Sequence, residues 1–279
     1  MHNVKVVKYY NVNCDDYLGF LGDQFHFGFW HDNTKDIFEA MNNANQAVAD
    51  ALDIREGDRI LDAGCGVGGT VRYIAARYNV GEIVGITITP RLVDLCHKLS
   101  KGHDRQHVIN FFEMDYCHTL FTNEYYNKIY AIESVCHTSD KNGFAKEAFR
   151  LLQPGGILVI NDYSRTDTPF PNDAVERNYK KFLQGWALHH LETVNGMKKI
   201  LADVGFQEIS YDDKTDLIMQ FSQIIKNVKY EQLPDIANAV ADGLTPKEVL
   251  GHAIATVVQE DLFKHSVMQQ GIFKAIKKN

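Results

Sequence analysis

Ile60-Leu61-Asp62-Ala63-Gly64-Cys65-Gly66-Val67-Gly68-Gly69 decides the fold of this chain. Its first residues read as a short buried strand. The glycines that follow allow positive φ, a sharp turn into a helix, and close approach of a ligand to the backbone. Gly64, Gly66 and Gly69 satisfy G-x-G-x-x-G, the spacing of a dinucleotide site, so an NAD-dependent oxidoreductase has to be weighed. Two residues weigh against it. Asp62 would repel a pyrophosphate, yet it can accept hydrogen bonds from a cationic ligand. The second strand ends in Thr87, not in the acidic residue that takes a ribose hydroxyl in dinucleotide sites. A ligand with a positive centre fits this turn better than a diphosphate.

Outward from that turn the chain alternates. Strands are predicted over 59–62, 83–88, 107–114, 126–133 and 157–163, and helices over 70–78, 90–100 and 143–152. Gln153-Pro154-Gly155-Gly156 reads as a turn before the fifth strand. Strand and helix in alternation imply parallel βαβ units, hence an α/β, Rossmann-like, doubly wound sheet. Upstream, residues 36–52 place Ile37, Met41, Ala44, Val48 and Leu52 at helical spacing, while residues 1–35, with the aromatic run FHFGFWHD at 25–32, read as a lid or packing arm. Downstream, helices are predicted over 173–187, 194–204 and most of 216–264, with strands at 206–211 and 271–277. The domain division is an arm over 1–35 and one domain over 36–279, which carries helical cap elements at about 164–190 and 216–264.

Composition narrows the class of function. With 279 residues, 45% of them hydrophobic and 23% charged, the chain has an ordinary globular core. Its 29 basic against 36 acidic side chains give a net charge of −7, the wrong sign for a nucleic-acid partner. Cys14, Cys65, Cys96, Cys117 and Cys136 are scattered, odd in number and without a C-x-x-C pair, so neither a disulfide framework nor a metal site is expected, and a reducing, cytoplasmic location is. The N-terminus has no apolar run of signal-peptide length, and nothing approaches the ~18 apolar residues of a membrane span, so stable membrane insertion is not expected.

At this point the chain resembles the class I S-adenosylmethionine-dependent methyltransferases. Four features agree in order: the LDAGCGVGG turn, the Gly85-Ile86-Thr87 strand end, Glu113-Met114-Asp115 closing the third strand, and the L-x-P-G-G turn from Leu152 to Gly156. A narrower resemblance follows. His26-Phe27-Gly28-Phe29-Trp30, Gly85-Ile86-Thr87-Ile88-Thr89-Pro90 and Ile132-Glu133-Ser134-Val135-Cys136-His137 are similar to segments of the tocopherol and sterol methyltransferases and the cyclopropane fatty acid synthase-like small-molecule group. The synthases place a glutamate before the histidine. Here Cys136 stands in that place, which points to plain methyl transfer instead of cyclopropanation.

The resemblance implies a seven-stranded, mostly parallel sheet and S-adenosylmethionine as cofactor. Asp62 and the turn Gly64, Cys65, Gly66 and Gly68 would hold its methionine part, Thr87 or Thr89 would lie near the ribose, and Asp115, followed by Tyr116, would take the adenine. Tyr10 and Trp30, with Tyr9, Tyr17 and Phe27, would close over the sulfonium. His137, after the fourth strand, is the leading general base because its ordinary pKa suits proton transfer near neutral pH, and Glu133 is a second candidate for base or cofactor contact. His189 and His190 are candidates for the acceptor pocket or for solvent, and the stripe of Leu217, Ile218, Phe221, Ile224 and Ile225 is read as core. The implied reaction is methyl transfer to carbon, oxygen or nitrogen of a small lipophilic acceptor, by a monomer or homodimer. A non-catalytic S-adenosylmethionine-binding module is the other alternative.

Overall fold

The computed structural model describes residues 2–278. Seven strands form one sheet in the order β3-β2-β1-β4-β5-β7-β6. These are β1 (Arg59–Ala63), β2 (Glu82–Thr87), β3 (Ile109–Glu113), β4 (Tyr126–Ile132), β5 (Leu152–Arg165), β6 (Gln207–Asp213) and β7 (Met268–Ile276). The first five pair in parallel, and β7 inserts antiparallel between β5 and β6. The chain crosses from β1 out to β3 and back to β4, so a crevice opens at the C-terminal ends of β1 and β4, where such sheets bind ligands.

Alternation along the strands builds two apolar layers. Ile60, Ile83, Val159 and Ile272 face one side of the sheet, under α2 (Ile37–Leu52) and α3 (Gly69–Arg77). Leu61, Val84, Ile129, Leu158 and Phe273 face the other, under α5 (Lys141–Leu151) and α7 (Val194–Val204). The central strands β1, β2, β4 and β5 are thus buried on both faces, as a parallel sheet requires, while the edge strands β3 and β6 are largely exposed. On β2's outer side α4 (Pro90–Ser100) has proline in its first turn, as the sequence suggested.

Two expectations change. The arm begins as a 20-residue helix, α1 (His2–Leu21), which the aromatic and polar-turn composition had hidden. Its inner face is Val6, Tyr9, Asn13, Tyr17 and Leu21, and the fully buried Asn13 interrupts the apolar stripe while its amide donates to the Tyr9 carbonyl. The turn expected at 153–156 lies within β5, as a bulge where pairing with β4 shifts register between Tyr126 and Lys128.

The helical surplus caps the crevice. α6 (Asp173–Gly185), α8 (Thr215–Ala241) and α9 (Lys247–Lys264) pack on one another, and α1 lies against α9. Ile218, Phe221 and Ile225 are buried as core, while Leu217 and Ile224 are half-buried at its margin. No described helix is long and apolar enough to cross a membrane.

Candidate active site

Three cavities sit between the crevice and the cap. The first is walled by Thr87 and Thr89 after β2, Asp115 and Tyr116 after β3, Ser134 and His137 after β4, and Tyr10 of α1. The second is walled by Asp62, Cys65, Thr70 and Glu133, with Gln24, Phe25 and His26 from the arm. Tyr10, Gly64 and Gly66 border both, so the two meet at the glycine turn. The third lies under the cap, with walls that include Tyr17, Phe20, Phe27, Trp186 and Ile225 beside the polar Asp16, Lys229 and His252.

Gly64 is required where it stands. Its φ is +107°, and a β-carbon there would lie 2.4 Å from Cβ of Ser134. The Ser134 hydroxyl donates to the Ala63 carbonyl at 2.6 Å, and the Tyr116 hydroxyl donates to the Ser134 carbonyl at 2.9 Å, so the ends of β1 and β4 are tied together beside the turn. Gly68 has a different task from the one expected. It caps α3 in the left-handed conformation, and a β-carbon there would meet the Phe111 ring at 2.7 Å; it lines neither cavity at the turn. The Cys65 and Cys96 thiols both approach the Gly66 carbonyl, a packing role.

The second cavity has two buried carboxyl groups in its wall. Asp62 is 3% exposed, and burial pushes its carboxyl up to about 7, with the neighbouring Tyr130 hydroxyl pulling the other way. Glu133 is raised to about 7 as well, again by burial, although three donors oppose the shift. The Phe27 N–H and the Gln270 amide donate to its Oε1, each at 2.9 Å, and the Tyr163 hydroxyl donates to Oε2 at 3.1 Å. Glu133 therefore ties β4 to the arm, β5 and β7. Both of its oxygens are engaged as acceptors. Its backbone, with φ at +46°, is held in a conformation that a glutamate rarely adopts.

In the first cavity Asp115 accepts from the Asn3 amide of α1 and from the Cys117 N–H, both at 2.8 Å. The Thr87 hydroxyl accepts from the Thr89 N–H at 3.4 Å, whereas Thr89 Oγ1 is buried with no hydrogen-bond partner, a group waiting for a ligand hydroxyl. His137 lies in a short 3₁₀ turn after β4, and its Nε2 is 3.1 Å from the Tyr10 hydroxyl.

Behind Tyr10 the arm carries a buried polar chain. The Tyr9 hydroxyl is 2.6 Å from that of Tyr17 and 2.9 Å from Nδ1 of His252, whose Nε2 faces Asp16 at 3.6 Å. Lys229 completes the cluster on the other Asp16 oxygen, and together these partners hold the Asp16 carboxyl down at about 2 despite its burial. The Tyr17 ring stacks on Phe25 at 4.9 Å. Aromatic side chains of the arm thus separate the turn from the chamber under the cap.

The structure brings together most of the residues singled out in the sequence: Tyr10, Asp62, Gly64, Cys65, Gly66, Thr87, Thr89, Asp115, Tyr116, Glu133 and His137. Gly68, which caps α3, and Trp30 are among the exceptions. Beyond Phe27 the chain leaves the site along α2, where the Phe29 N–H donates to the Ala40 carbonyl, and the Trp30 N–H donates to the Leu217 carbonyl of α8. Trp30 fastens the cap and lines none of the three cavities. His189 and His190 bond to each other at 2.9 Å on the exposed side of the cap, away from the chamber. Asn3, Gln24 and Ser134 line the site without having been singled out; Asn3 carried no signal at all, because its role depends on a helix the sequence did not announce.

Comparison with known proteins agrees with this geometry. Residues 61–160 match the family described as a methyltransferase domain. The chain is 27% identical to cycloartenol-C-24-methyltransferase 1 of Oryza sativa subsp. japonica, over 73% of this chain and 59% of that one. It is 30% identical to phosphoethanolamine N-methyltransferase of Triticum aestivum, over 62% of this chain and 33% of that one. The chain thus spans about three fifths of the first relative and a third of the second. Among solved structures, the cyclopropane synthase MmaA2 of Mycobacterium tuberculosis superposes with a TM-score of 0.84 at 18% identity, covering 99% of both chains, a likeness of fold.

Proposed function

We propose that this chain, which carries a class I S-adenosylmethionine-dependent methyltransferase domain, transfers a methyl group from S-adenosylmethionine to a small lipophilic acceptor. One observation carries the reading above all: at the glycine turn the wall holds buried carboxyl groups, Asp62 foremost, which suit the α-ammonium of an amino acid end and repel a diphosphate. The dinucleotide alternative rests on glycine spacing and has nothing else in its favour.

The residues fit the cofactor on both sides of the turn. Asp62 would hold the ammonium end, Thr87 and the unpartnered Thr89 hydroxyl the ribose, and Asp115 with Tyr116 the adenine. When bound, the cofactor supplies an electrophilic methyl on a sulfonium. Tyr10, which lines both cavities, would offer an electron-rich ring to that centre. The acceptor would enter through the largely aromatic chamber under the cap, with the stacked Tyr17 and Phe25 rings moving aside to admit it to the methyl, and its positioning there can by itself supply several kcal/mol of the barrier reduction. His137 takes the proton that the acceptor gives up, with the Tyr10 hydroxyl on its Nε2 as the connection. Glu133 positions the arm. Five unbridged, buried cysteines support a reducing, cytoplasmic setting.

The test is transfer of label from methyl-labelled S-adenosylmethionine into a small-molecule extract, with the wild type and His137→Ala side by side. Label should move into an organic-soluble product with the wild type and far more slowly with the variant, at nearly unchanged cofactor affinity. No transfer by protein that binds the cofactor would favour a non-catalytic module.

A further inference from the structure

His26 belongs to the aromatic segment of the arm, and none of the steps above uses it. It is 5% exposed and lines the second cavity beside Asp62 and Glu133. Its Nδ1 lies 2.8 Å from the Phe27 carbonyl oxygen. A carbonyl only accepts, so Nδ1 carries the proton of that bond. Burial lowers the imidazole pKa and keeps the ring neutral, which leaves Nε2 as a bare acceptor. That atom is buried and makes no hydrogen bond. The Asn45 amide stands beside the ring, with one N–H given to Gln24 and its oxygen accepting from Thr70. A buried ring nitrogen without a partner calls for an explanation.

The ring is also held still. The Phe27 N–H is bonded to Glu133, the Phe29 N–H to Ala40, and Gly28 presses so closely on α2 that a β-carbon would lie 2.4 Å from the Ala40 backbone. Two donors at the cavity are committed elsewhere: Gln24 gives one amide N–H to Asn42, and Thr70 gives its hydroxyl to Asn45. His26 Nε2, Asp62 and Glu133 stand together in the wall as acceptors, which suit an ammonium with three N–H groups and not a carboxylate.

We propose that His26 is a cofactor-binding residue whose Nε2 accepts a hydrogen bond from the α-ammonium of S-adenosylmethionine, beside the charge of Asp62. The proposal rests on the methyltransferase reading above. It assigns the aromatic segment a polar task as well as packing.

Calorimetry with two probes tests it: S-adenosylhomocysteine, and its keto-acid analogue in which a carbonyl replaces the α-amino group. His26→Phe should weaken S-adenosylhomocysteine about ten-fold or more, the scale of a charge-assisted hydrogen bond, and leave the keto-acid analogue within about two-fold. His26→Gln, which keeps an acceptor at similar reach, should recover most of the loss. Equal losses on both probes would show a structural or carboxylate-directed role and overturn the proposal, as would unchanged S-adenosylhomocysteine affinity in His26→Phe. Failure of the wild type to bind S-adenosylhomocysteine would instead overturn the methyltransferase reading itself.

Discussion

The hydroxyl of Tyr10, on the first helix, lies 3.1 Å from Nε2 of His137, at the end of the fourth strand. This contact joins a segment outside the sheet to the one histidine that the strand order places at the crevice. It makes α1 part of the site instead of a tail beside it, and α1 also reaches Asp115 through Asn3.

Tyr10→Phe should therefore loosen the arm. Loss of one hydrogen bond worth ~1 kcal/mol should speed hydrogen exchange of the amides in α1 roughly five-fold, with exchange in β1 and β4 unchanged. Exchange in α1 that is no faster would mean that packing alone holds the helix.

The glycines at the turn should differ in what they tolerate. Gly64→Ala combines a φ of +107° with the 2.4 Å approach to Ser134, whereas Gly66→Ala, at φ +53°, would meet Phe25 no closer than 3.6 Å. Denaturant unfolding should show a cost of ~3 kcal/mol or more for the first and ~1 kcal/mol for the second. Equal costs would contradict the close approach of the two strand ends.

Asp62 makes cofactor binding depend on pH. Its folded-state pKa of about 7 is above the ordinary 3.8, so the empty protein binds an extra proton between those values. That contribution to stability is greatest below pH 4 and is lost as pH rises toward 7. An α-ammonium placed beside Asp62 favours its ionised form. Affinity for S-adenosylhomocysteine should accordingly rise roughly ten-fold from pH 6 to pH 8, with proton release on binding near the lower end. In Asp62→Asn the rise should be much reduced and affinity lower throughout; a flat wild-type profile would remove Asp62 from the ammonium site.

Glu133→Gln separates an anchor from a base. The amide keeps only one acceptor oxygen, so its N–H₂ group must face either the Phe27 N–H and the Gln270 amide or the Tyr163 hydroxyl, all of which now donate to the carboxylate. A loss of ~2 kcal/mol in stability and faster exchange over residues 25–29 are expected. Unchanged stability with slowed turnover would restore Glu133 as the base.

Periodicity and turn chemistry are local, and they carried the reading from residue 36 to the end of β5 to within a few residues at each boundary. The glycine turn announced Asp62, Gly64 and Gly66 because a sharp strand-to-helix turn leaves few residue choices. The first helix was hidden because its inner face mixes tyrosine, asparagine and cysteine, and its polar partners, His252 and Lys229, lie more than two hundred residues away. Trp30 and His26 show the same limit from opposite sides. Both belong to one recognisable segment, yet Gly28 and the Ala40 contact send the tryptophan to the cap and leave the histidine at the cavity, a division no spacing reveals.

Calorimetric titration of the folded wild-type chain with S-adenosylhomocysteine, and in parallel with NAD, bears most directly on the site. We expect saturable binding of S-adenosylhomocysteine at a single site, lost or strongly weakened in Asp62→Ala, and no heat of binding with NAD. Binding of NAD in its place, or S-adenosylhomocysteine affinity untouched by Asp62→Ala, would contradict a cationic-ligand site at the glycine turn.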